Sequence, residues 1–267
     1  MIAITRSVSP TLAACELTHL ARVPIDVARA VAQHAAYEAL LRSMGVTVVQ
    51  APAAPELPDA VFIEDTAVVL DEMAVLTRPG AVARRAELNT VAPVVARYRT
   101  VVVMKGPATL DGGDVVRVGR TLYVGRSGRT NGEGIEQLQR LVQSYDYRVV
   151  PVDFTGCLHL KSAVTAVADR VLLLNPDWVP AAAFPGCDAM HVDPGEAHGA
   201  NALRIADRLV YSSQYPRTGE LLDRRGLQVS TVDGSELAKA EGAVTCCSLV
   251  FEDVADGGHA LSGPSAT

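Results

Sequence analysis

Aromatic and basic residues are both scarce in this sequence. Phe, Trp and Tyr make up 4% of the 267 residues, and the 24 Lys and Arg are outnumbered by 30 Asp and Glu, which gives a formal net charge of −6. Nucleic-acid binding needs clustered cations for the phosphates and, for unpaired bases, aromatic rings that stack on them. The composition therefore argues against a nucleic-acid partner.

Long apolar runs are missing as well. The runs at residues 101–104 and 171–174 are far shorter than the roughly 20 residues that cross a bilayer. Residues 1–6 lack the basic start, the apolar stretch and the cleavage site of a signal peptide. We therefore expect no membrane partner and a cytoplasmic location.

Cysteines with a recognisable spacing are absent too. The five cysteines are odd in number and show no C-x-x-C pattern, so neither a disulfide framework nor a zinc ribbon is indicated. The glycine-rich loops G-x-G-x-x-G and G-x-x-x-x-G-K-[ST], which bind dinucleotides and nucleotide phosphates, are also missing. A nucleotide-dependent function is therefore not expected.

What the sequence does contain is a repeated pattern in which a polar or glycine-rich motif precedes a predicted strand. Its markers are Glu64, Asp111, His159, Asn201 and Cys246, which are 47, 48, 42 and 45 residues apart. A repeat of about 45 residues is typical of solenoids, arrays and propellers. The apolar segments predict strand pairs at residues 60–69 with 74–77, 114–118 with 121–125, 162–168 with 170–174 and 202–206 with 208–212.

Helices and single strands are predicted around these pairs. The helices are expected at residues 25–44, 82–98, 134–144 and 219–225, and the single strands at residues 1–6, 46–49, 100–104, 147–152, 227–232 and 245–251. The first and last strands have no partner within their own units. Pairing them would close five units into a ring and remove the exposed sheet edges.

A doubly wound α/β sheet is the alternative to this ring. Paired short strands in every unit weigh against it, because parallel strands are joined by helical crossovers. We therefore predict one α/β domain over residues 1–255. Residues 256–267, which are glycine-rich and lack apolar periodicity, are predicted to be a disordered tail.

The marker residues have side chains that catalysis uses. The Cys246 thiol is a candidate nucleophile with His159 as its partner, although each residue taken alone is more often structural. Both share the phase of two acidic motifs, at residues 58–65 and 110–114. Carboxylates crowded together repel one another unless a cation binds, and either a guanidinium or a metal such as zinc fits that role.

Five motifs then resemble a known family. They are Phe-Ile-Glu-Asp at 62–65, Leu-Asp-Gly-Gly-Asp at 110–114, Ser-Gly-Arg-Thr-Asn at 127–131, Leu-His-Leu-Lys-Ser at 158–162 and Thr-Cys-Cys-Ser-Leu at 245–249. In this order they resemble the dimethylarginine dimethylaminohydrolases of the guanidino-group-modifying, or pentein, superfamily. The resemblance implies a fivefold pseudosymmetric α/β propeller of ββαβ units closed by the N-terminal strand. It also implies hydrolysis of dimethylarginine and monomethylarginine to citrulline and a methylamine.

The resemblance also assigns roles to single residues. Cys246 would be the nucleophile, with Cys247 facing away, His159 the general acid and base, and Asp111 the group that orients the imidazole. Glu64 is placed both with the catalytic groups and with those that bind substrate. The implied substrate contacts are Leu17 in a lid, Asp59, Glu64 and Asp65 at the guanidinium, Arg84 (or its rival Arg85) and Arg129 at the carboxylate, and the backbone near Ala240 at the α-amine.

The implied chemistry needs only a thiol, an imidazole and water, so we expect no cofactor and no metal. The expected partner is a small-molecule substrate, and a homodimer is left open. An arginine deiminase-like hydrolase is the nearest alternative, although such enzymes typically carry a helical insertion for which this chain has no room. A non-catalytic binder of cationic amino acids, or a zinc-holding protein, is the alternative outside enzymes.

Overall fold

The computed structural model describes residues 1–253, and its strands form five three-stranded sheets. In chain order the strands are β1 Ile2–Thr5, β2 Thr47–Gln50, β3 Ala67–Val69, β4 Met73–Leu76, β5 Thr100–Val103, β6 Val115–Val118, β7 Thr121–Arg126, β8 Arg148–Asp153, β9 Val164–Ala168, β10 Val171–Leu174, β11 Asp188–His191, β12 Ala202–Ile205, β13 Arg208–Ser212, β14 Gln228–Val232 and β15 Leu249–Phe251. The helices are α1 Val27–Ser43, α2 Leu88–Val95, α3 Gly132–Val142, α4 Leu160–Ala163, α5 Pro216–Arg224 and α6 Ser235–Ala238. The tail predicted at residues 256–267 lies outside the described residues.

All five sheets share one plan. The middle strand pairs antiparallel with one neighbour and parallel with the other, in the orders β15-β1-β2, β3-β4-β5, β6-β7-β8, β9-β10-β11 and β12-β13-β14. In the first sheet Ile2 lies opposite Phe251 in the antiparallel pair and opposite Thr47 in the parallel pair. The predicted pairing of the first strand with the last is therefore present. The α/β fold and its fivefold internal repeat agree with the expectation.

Local signals explain where the longer helices begin and end. The side chain of Asp26 accepts a hydrogen bond from the backbone N–H of Arg29 and so caps the start of α1. Gly45, with φ of +82°, follows the end of this helix in the left-handed conformation that glycine adopts without strain. The predicted helix at 82–98 is instead a 3₁₀ segment, Val82–Glu87, followed by the shorter α2.

The structure corrects the start of several predicted strands. Short helical turns occupy Ile63–Thr66 and Leu160–Ala163, inside or at the start of expected strands, and a third turn, Gly112–Asp114, ends on the first residue of the strand expected at 114–118. Backbone N–H groups there bond within the turn, as Ser162 does to the carbonyl of His159 at 2.9 Å. The prediction was wrong at these points because a run of apolar residues does not distinguish one helical turn from the start of a strand.

One strand was not predicted at all. The third unit contains β11, which pairs parallel with β10, and a single 3₁₀ turn, Ala181–Ala183, in place of a longer helix. The four residues of β11, Asp-Ala-Met-His, contain no apolar run that would indicate a strand. The unit therefore has the same three-stranded sheet as the others despite its missing sequence signal.

The marker residues lie at equivalent places in the five units. Each marker precedes the strand that pairs antiparallel with the middle strand of its sheet. Glu64 precedes β3, Asp111 precedes β6, His159 precedes β9, Asn201 precedes β12 and Cys246 precedes β15. Buried apolar side chains such as Ile4, Val124 and Tyr211 fill the space around the sheets. Within residues 1–253, none of the helices has the length and hydropathy of a membrane-spanning segment.

Candidate active site

Most of the predicted site residues meet in one pocket. Its lining includes seven of the ten, namely Asp59, Asp65, Arg84, Arg129, His159, Ala240 and Cys246. The turns that precede β3, β9 and β15 supply Asp65, His159 and Cys246, so the repeat itself brings the reactive groups together. Three predicted residues lie outside this lining, and each is placed below.

His159 is buried between carboxylates. Its Nε2 lies 3.0 Å from Oδ2 of Asp111, which is fully buried, and its Nδ1 lies 3.7 Å from Oδ1 of Asp65. Burial by itself lowers the pKa of the imidazole, but the carboxylates of Asp65, Asp111 and Asp114 outweigh it and raise the pKa to about 9. The imidazole is therefore protonated at neutral pH.

Asp111 lies behind the imidazole rather than in the pocket lining. Its Oδ1 accepts a hydrogen bond of 2.9 Å from the backbone N–H of Gly80, and its own N–H donates to Oγ1 of Thr130 at 3.2 Å. The first bond holds the carboxylate and the second its backbone, and Oδ2 is directed at His159. This geometry suits a group that orients the ring.

Asp114 was not among the predicted site residues. It is fully buried and accepts hydrogen bonds from the backbone N–H of Leu160 at 3.0 Å and from the hydroxyls of Ser127 and Thr130 at 2.6 and 2.7 Å. Burial raises its pKa to about 6, against the opposing effect of His159. Asp114 thus ties the loop of His159 to the loop of Arg129.

The glycines of the Asp-Gly-Gly-Asp motif are explained by close approach. A side-chain carbon on Gly113 would lie 2.6 Å from Nδ1 of His159 and 2.8 Å from Oδ1 of Asp65. The bare backbone instead donates its N–H to Asp65 at 2.9 Å. Any side chain at this position would displace the imidazole or the carboxylate.

Arg84 is buried, and protein groups already engage its guanidinium. It pairs with Asp65, donates from Nε to Glu87 at 2.9 Å and from Nη2 to the carbonyl of Phe62 at 2.9 Å. Burial alone would raise the pKa of Asp65, but His159 and Arg84 lower it to about 2. Arg85 turns elsewhere, because its Nε donates to the carbonyl of Pro79.

Arg129 has weaker polar contacts than Arg84. Its Nη2 lies 3.4 Å from Oγ1 of Thr18, and its Nη1 lies 4.0 Å from Oδ2 of Asp111. Of the two predicted clamp residues, Arg129 is the one whose guanidinium is less committed to partners in the protein.

The two adjacent cysteines face different cavities. Cys246 lines the pocket with His159, whereas Cys247 lines a separate cavity beside Tyr37. Burial, followed by the charges of Glu64 and Asp65, raises the pKa of the Cys246 thiol well above its usual value. Burial raises the pKa of Cys247 to about 12. Both groups are therefore neutral thiols at neutral pH.

Glu64 is buried behind Cys246 and does not line the pocket. Its carboxylate pairs with the ammonium of Lys161 and accepts a hydrogen bond of 3.0 Å from the hydroxyl of Thr245. Its backbone N–H donates to the carbonyl of Cys246 at 3.2 Å. Burial raises the pKa of Glu64, against the opposing effect of Lys161.

The loop after β1 reaches the pocket at Glu16. Asp59 accepts hydrogen bonds of 3.2 and 3.3 Å from the backbone N–H of Glu16, and its pKa is raised to about 6 by burial. The carboxylate of Glu241 accepts from the backbone N–H groups of three consecutive loop residues, Thr18, His19 and Leu20.

Leu17, the predicted lid residue, packs beside the core cluster that contains Cys15 and Cys246. Glu16 and Glu241 were not predicted as site residues, although both line the pocket. No local pattern marks either of them, because their contacts depend on where the loop crosses the fold.

Comparisons with known proteins agree with the motifs. A family model described as "N,N dimethylarginine dimethylhydrolase, eukaryotic" matches residues 21–183. A relative from Streptomyces coelicolor, named N(G),N(G)-dimethylarginine dimethylaminohydrolase, is 39% identical over 95% of this chain and 98% of its own length. The chain belongs to the dimethylarginine dimethylaminohydrolase family. The resemblance predicted from the five motifs is therefore confirmed.

Further members of the dimethylarginine dimethylaminohydrolase family show the same likeness. A relative of the same name from Pseudomonas aeruginosa is 33% identical over 85% of this chain and 90% of its own length. A solved structure of a cysteine-to-serine mutant of the Pseudomonas aeruginosa enzyme, complexed with citrulline, matches with a TM-score of 0.87 at 31% identity. That match covers 94% of this chain and 98% of the other.

The positions of the side chains that could bind a metal can be compared with the alternative of a zinc-holding protein. In the described part of the chain, one ligand atom each from Asp65, Asp111 and His159 lie within 4.8 Å of one another. Arg84 already pairs with Asp65, and Asp111 is hydrogen-bonded to the imidazole. Cys246 is not among the three residues of this group.

Proposed function

We propose that this protein hydrolyses Nω-methylated arginine to citrulline and a methylamine through a covalent intermediate on Cys246. The observation that carries the proposal is the shared pocket of Cys246 and His159, in which Asp59 and Asp65 can meet a guanidinium and Arg129 a carboxylate. The names of the relatives point to the same substrate. No cofactor or metal is part of the proposed reaction.

Substrate charge prepares the nucleophile in this proposal. Without substrate the thiol is neutral, since burial and two carboxylates raise its pKa. A guanidinium beside Cys246 adds positive charge and offsets those carboxylates, which lowers the pKa of the thiol. The thiol then releases its proton to water, and the thiolate forms next to the carbon that it attacks.

His159 performs the proton transfers. The thiolate forms a carbon–sulfur bond to the central guanidinium carbon, and the imidazolium gives its proton to the leaving methylamine as the carbon–nitrogen bond breaks. The neutral imidazole next takes a proton from water, whose oxygen adds to the same carbon. The carbon–sulfur bond then breaks, and the proton lost by the hydroxyl of the adduct passes to the departing sulfur, which leaves the urea group of citrulline and the neutral Cys246 thiol.

The remaining assignments are proposals as well. Arg84 and Arg129 bind the substrate carboxylate, the backbone near Ala240 accepts from the α-amine, and the loop of Leu17 covers the substrate. Asp59 and Asp65 bind the guanidinium, and Glu64 supports this site from behind Cys246.

The proposed architecture is a closed propeller formed by one domain over residues 1–255, of which 254 and 255 lie outside the described residues, and the pairing of β1 with β15 supports it. A cytoplasmic location and the choice between monomer and homodimer stay predictions.

The proposal is tested by citrulline release from asymmetric dimethylarginine and from free arginine. We expect release from the methylated substrate by the wild type, none by Cys246→Ser and near wild-type release by the matched variant Cys247→Ser, because only Cys246 faces the pocket. Preference for free arginine would favour the deiminase alternative. Full activity of Cys246→Ser, or an inactive wild type, would contradict the proposal.

A further inference from the structure

Asn201 is the one repeat marker to which the proposed reaction gives no task. It precedes β12 in the fourth unit, as Cys246 precedes β15 and His159 precedes β9 in theirs. Its side chain is 3% exposed and does not line the pocket of Cys246. In three other units the equivalent position carries a residue of the proposed reaction, namely Asp111, His159 and Cys246. We therefore examined whether Asn201 contacts any of these residues or their neighbours.

The amide of Asn201 makes three hydrogen bonds that only one orientation allows. Its Oδ1 accepts from the backbone N–H of Thr245 at 3.1 Å. Its Nδ2 donates to Oγ1 of Thr245 at 2.9 Å and to the carbonyl of Lys161 at 3.0 Å. A flipped amide would place its oxygen against the Lys161 carbonyl and its NH₂ against an N–H group, so the donor and acceptor ends are determined.

This arrangement also determines where the Thr245 hydroxyl points. Because Asn201 donates to Oγ1, the single hydrogen of that hydroxyl is directed at Glu64, whose Oε2 lies 3.0 Å away. The other carboxylate oxygen of Glu64 is paired with Lys161. The backbone N–H of Glu64 in turn holds the carbonyl of Cys246 at 3.2 Å.

The result is a polar chain that holds Cys246 from both sides. On one side Asn201 binds the backbone and the side chain of Thr245, the residue immediately before the thiol. On the other side Glu64, at the end of the same chain of bonds, binds the Cys246 carbonyl. The bond from Asn201 to the Lys161 carbonyl connects this assembly to the segment that follows His159.

We propose that Asn201 is a positioning residue for Cys246, which fixes the nucleophile relative to His159 through Thr245 and Glu64. Only the kinetic test of this inference rests on the proposed function, because it measures citrulline release. Displacement of a reacting group by about 1 Å can lower turnover by roughly a hundredfold without affecting substrate binding. Asn201 touches no substrate in this proposal, so its effect is expected in kcat and not in KM.

The kinetic test compares two buried asparagines. Asn175 is also 3% exposed and uses its amide to bind the carbonyl of Ala197 and the N–H of Asp177, away from Thr245. We expect Asn201→Ala to lower kcat for citrulline release by roughly 10- to 100-fold with little change in KM. Asn175→Ala should retain kcat at a comparable loss of thermal stability. An unchanged kcat in Asn201→Ala, or a loss confined to KM, would overturn the proposal.

A second readout does not depend on turnover. Without the bonds from Asn201, the turn that carries Thr245 and Cys246 should open more often and expose the thiol. Iodoacetamide should then alkylate Cys246 about threefold faster or more in Asn201→Ala, whereas buried Cys157 should keep its wild-type rate. Equal acceleration at both cysteines would indicate general loosening and would overturn a local role. If wild-type protein releases no citrulline, the proposed function fails, but this alkylation comparison still decides the role of Asn201.

Further variants test the route through Thr245. Thr245→Val removes the hydroxyl and keeps the branched shape, so its effect on kcat should not add to that of Asn201→Ala, because both break the same chain. Additive effects would contradict the route. Should Asn201→Ala fail to fold, Asn201→Asp keeps the shape and the acceptor for the Thr245 N–H but loses both donors, and it should show the same loss in kcat.

Discussion

The imidazole of His159 and the thiol of Cys246 face one pocket but respond in opposite ways to the carboxylates around them. Asp65 raises the pKa of both groups. For the imidazole this favours the charged form, and for the thiol it favours the neutral form. The pocket therefore holds a protonated imidazole beside a thiol that is not ionised, and a cation beside the thiol would lower the pKa of that thiol.

The largest effect should come from breaking the imidazole side. We expect His159→Gln to lower kcat for citrulline release by roughly 10²–10⁴-fold, because the departing methylamine loses its proton donor. Alkylation of Cys246 by iodoacetamide should change far less, since carboxylates and burial govern that thiol. His34, a buried histidine on α1, gives the matched control His34→Gln, which should retain turnover. Parallel losses of turnover and alkylation would show that the two groups form a pre-existing pair.

A smaller effect is expected from the residue behind the imidazole. Asp111→Asn keeps the shape of the side chain but removes its charge, and kcat should fall by roughly 10- to 100-fold as the ring loses its orientation. Activity that needs the imidazolium falls as pH rises through the pKa of His159, about 9. Loss of the Asp111 charge lowers this pKa, so the alkaline limb of the kcat profile should move to lower pH. An unmoved limb would show that Asp111 does not govern the imidazole.

The smallest effect concerns the thiol side. Glu64 raises the pKa of Cys246, so Glu64→Gln should lower it and speed alkylation at pH 8 by up to about tenfold, or one pKa unit. The ammonium of Lys161, left without its carboxylate, acts in the same direction. Glu38→Gln, at a buried glutamate on α1, is the matched control and should leave alkylation unchanged. Slower alkylation in Glu64→Gln would contradict this account of the thiol.

Much of the fold could be predicted because the repeat can be recognised from the types of residue along the sequence. The strands of the hairpins alternate or run apolar, and the five markers keep a spacing near 45 residues. The short turns before β3, β6 and β9 could not be predicted, since three or four residues carry too little periodicity. β11 could not be predicted either, because only Met190 of its four side chains is buried and no apolar pattern results.

Site residues that belong to a sequence motif could be predicted. Site residues whose role depends on a contact with a segment distant in sequence could not. Cys246, His159 and Asp111 stand in phase in the sequence, and the structure places them together. Asp114 and Glu241 act through backbone N–H groups of distant loops, and backbone groups leave no mark in a sequence. Arg84 could be located, but its pairing with Glu87 inside the protein could not be foreseen from its motif.

The pairing of β1 with β15 has a consequence for biosynthesis. During translation β1 leaves the ribosome first, and the edge that pairs with Leu249–Phe251 stays without that partner until the end of the described chain has been made. Cys246 emerges just before that strand, after every other member of the site. A chain that stops short of β15 therefore lacks both the antiparallel neighbour of β1 and the strand that follows Cys246.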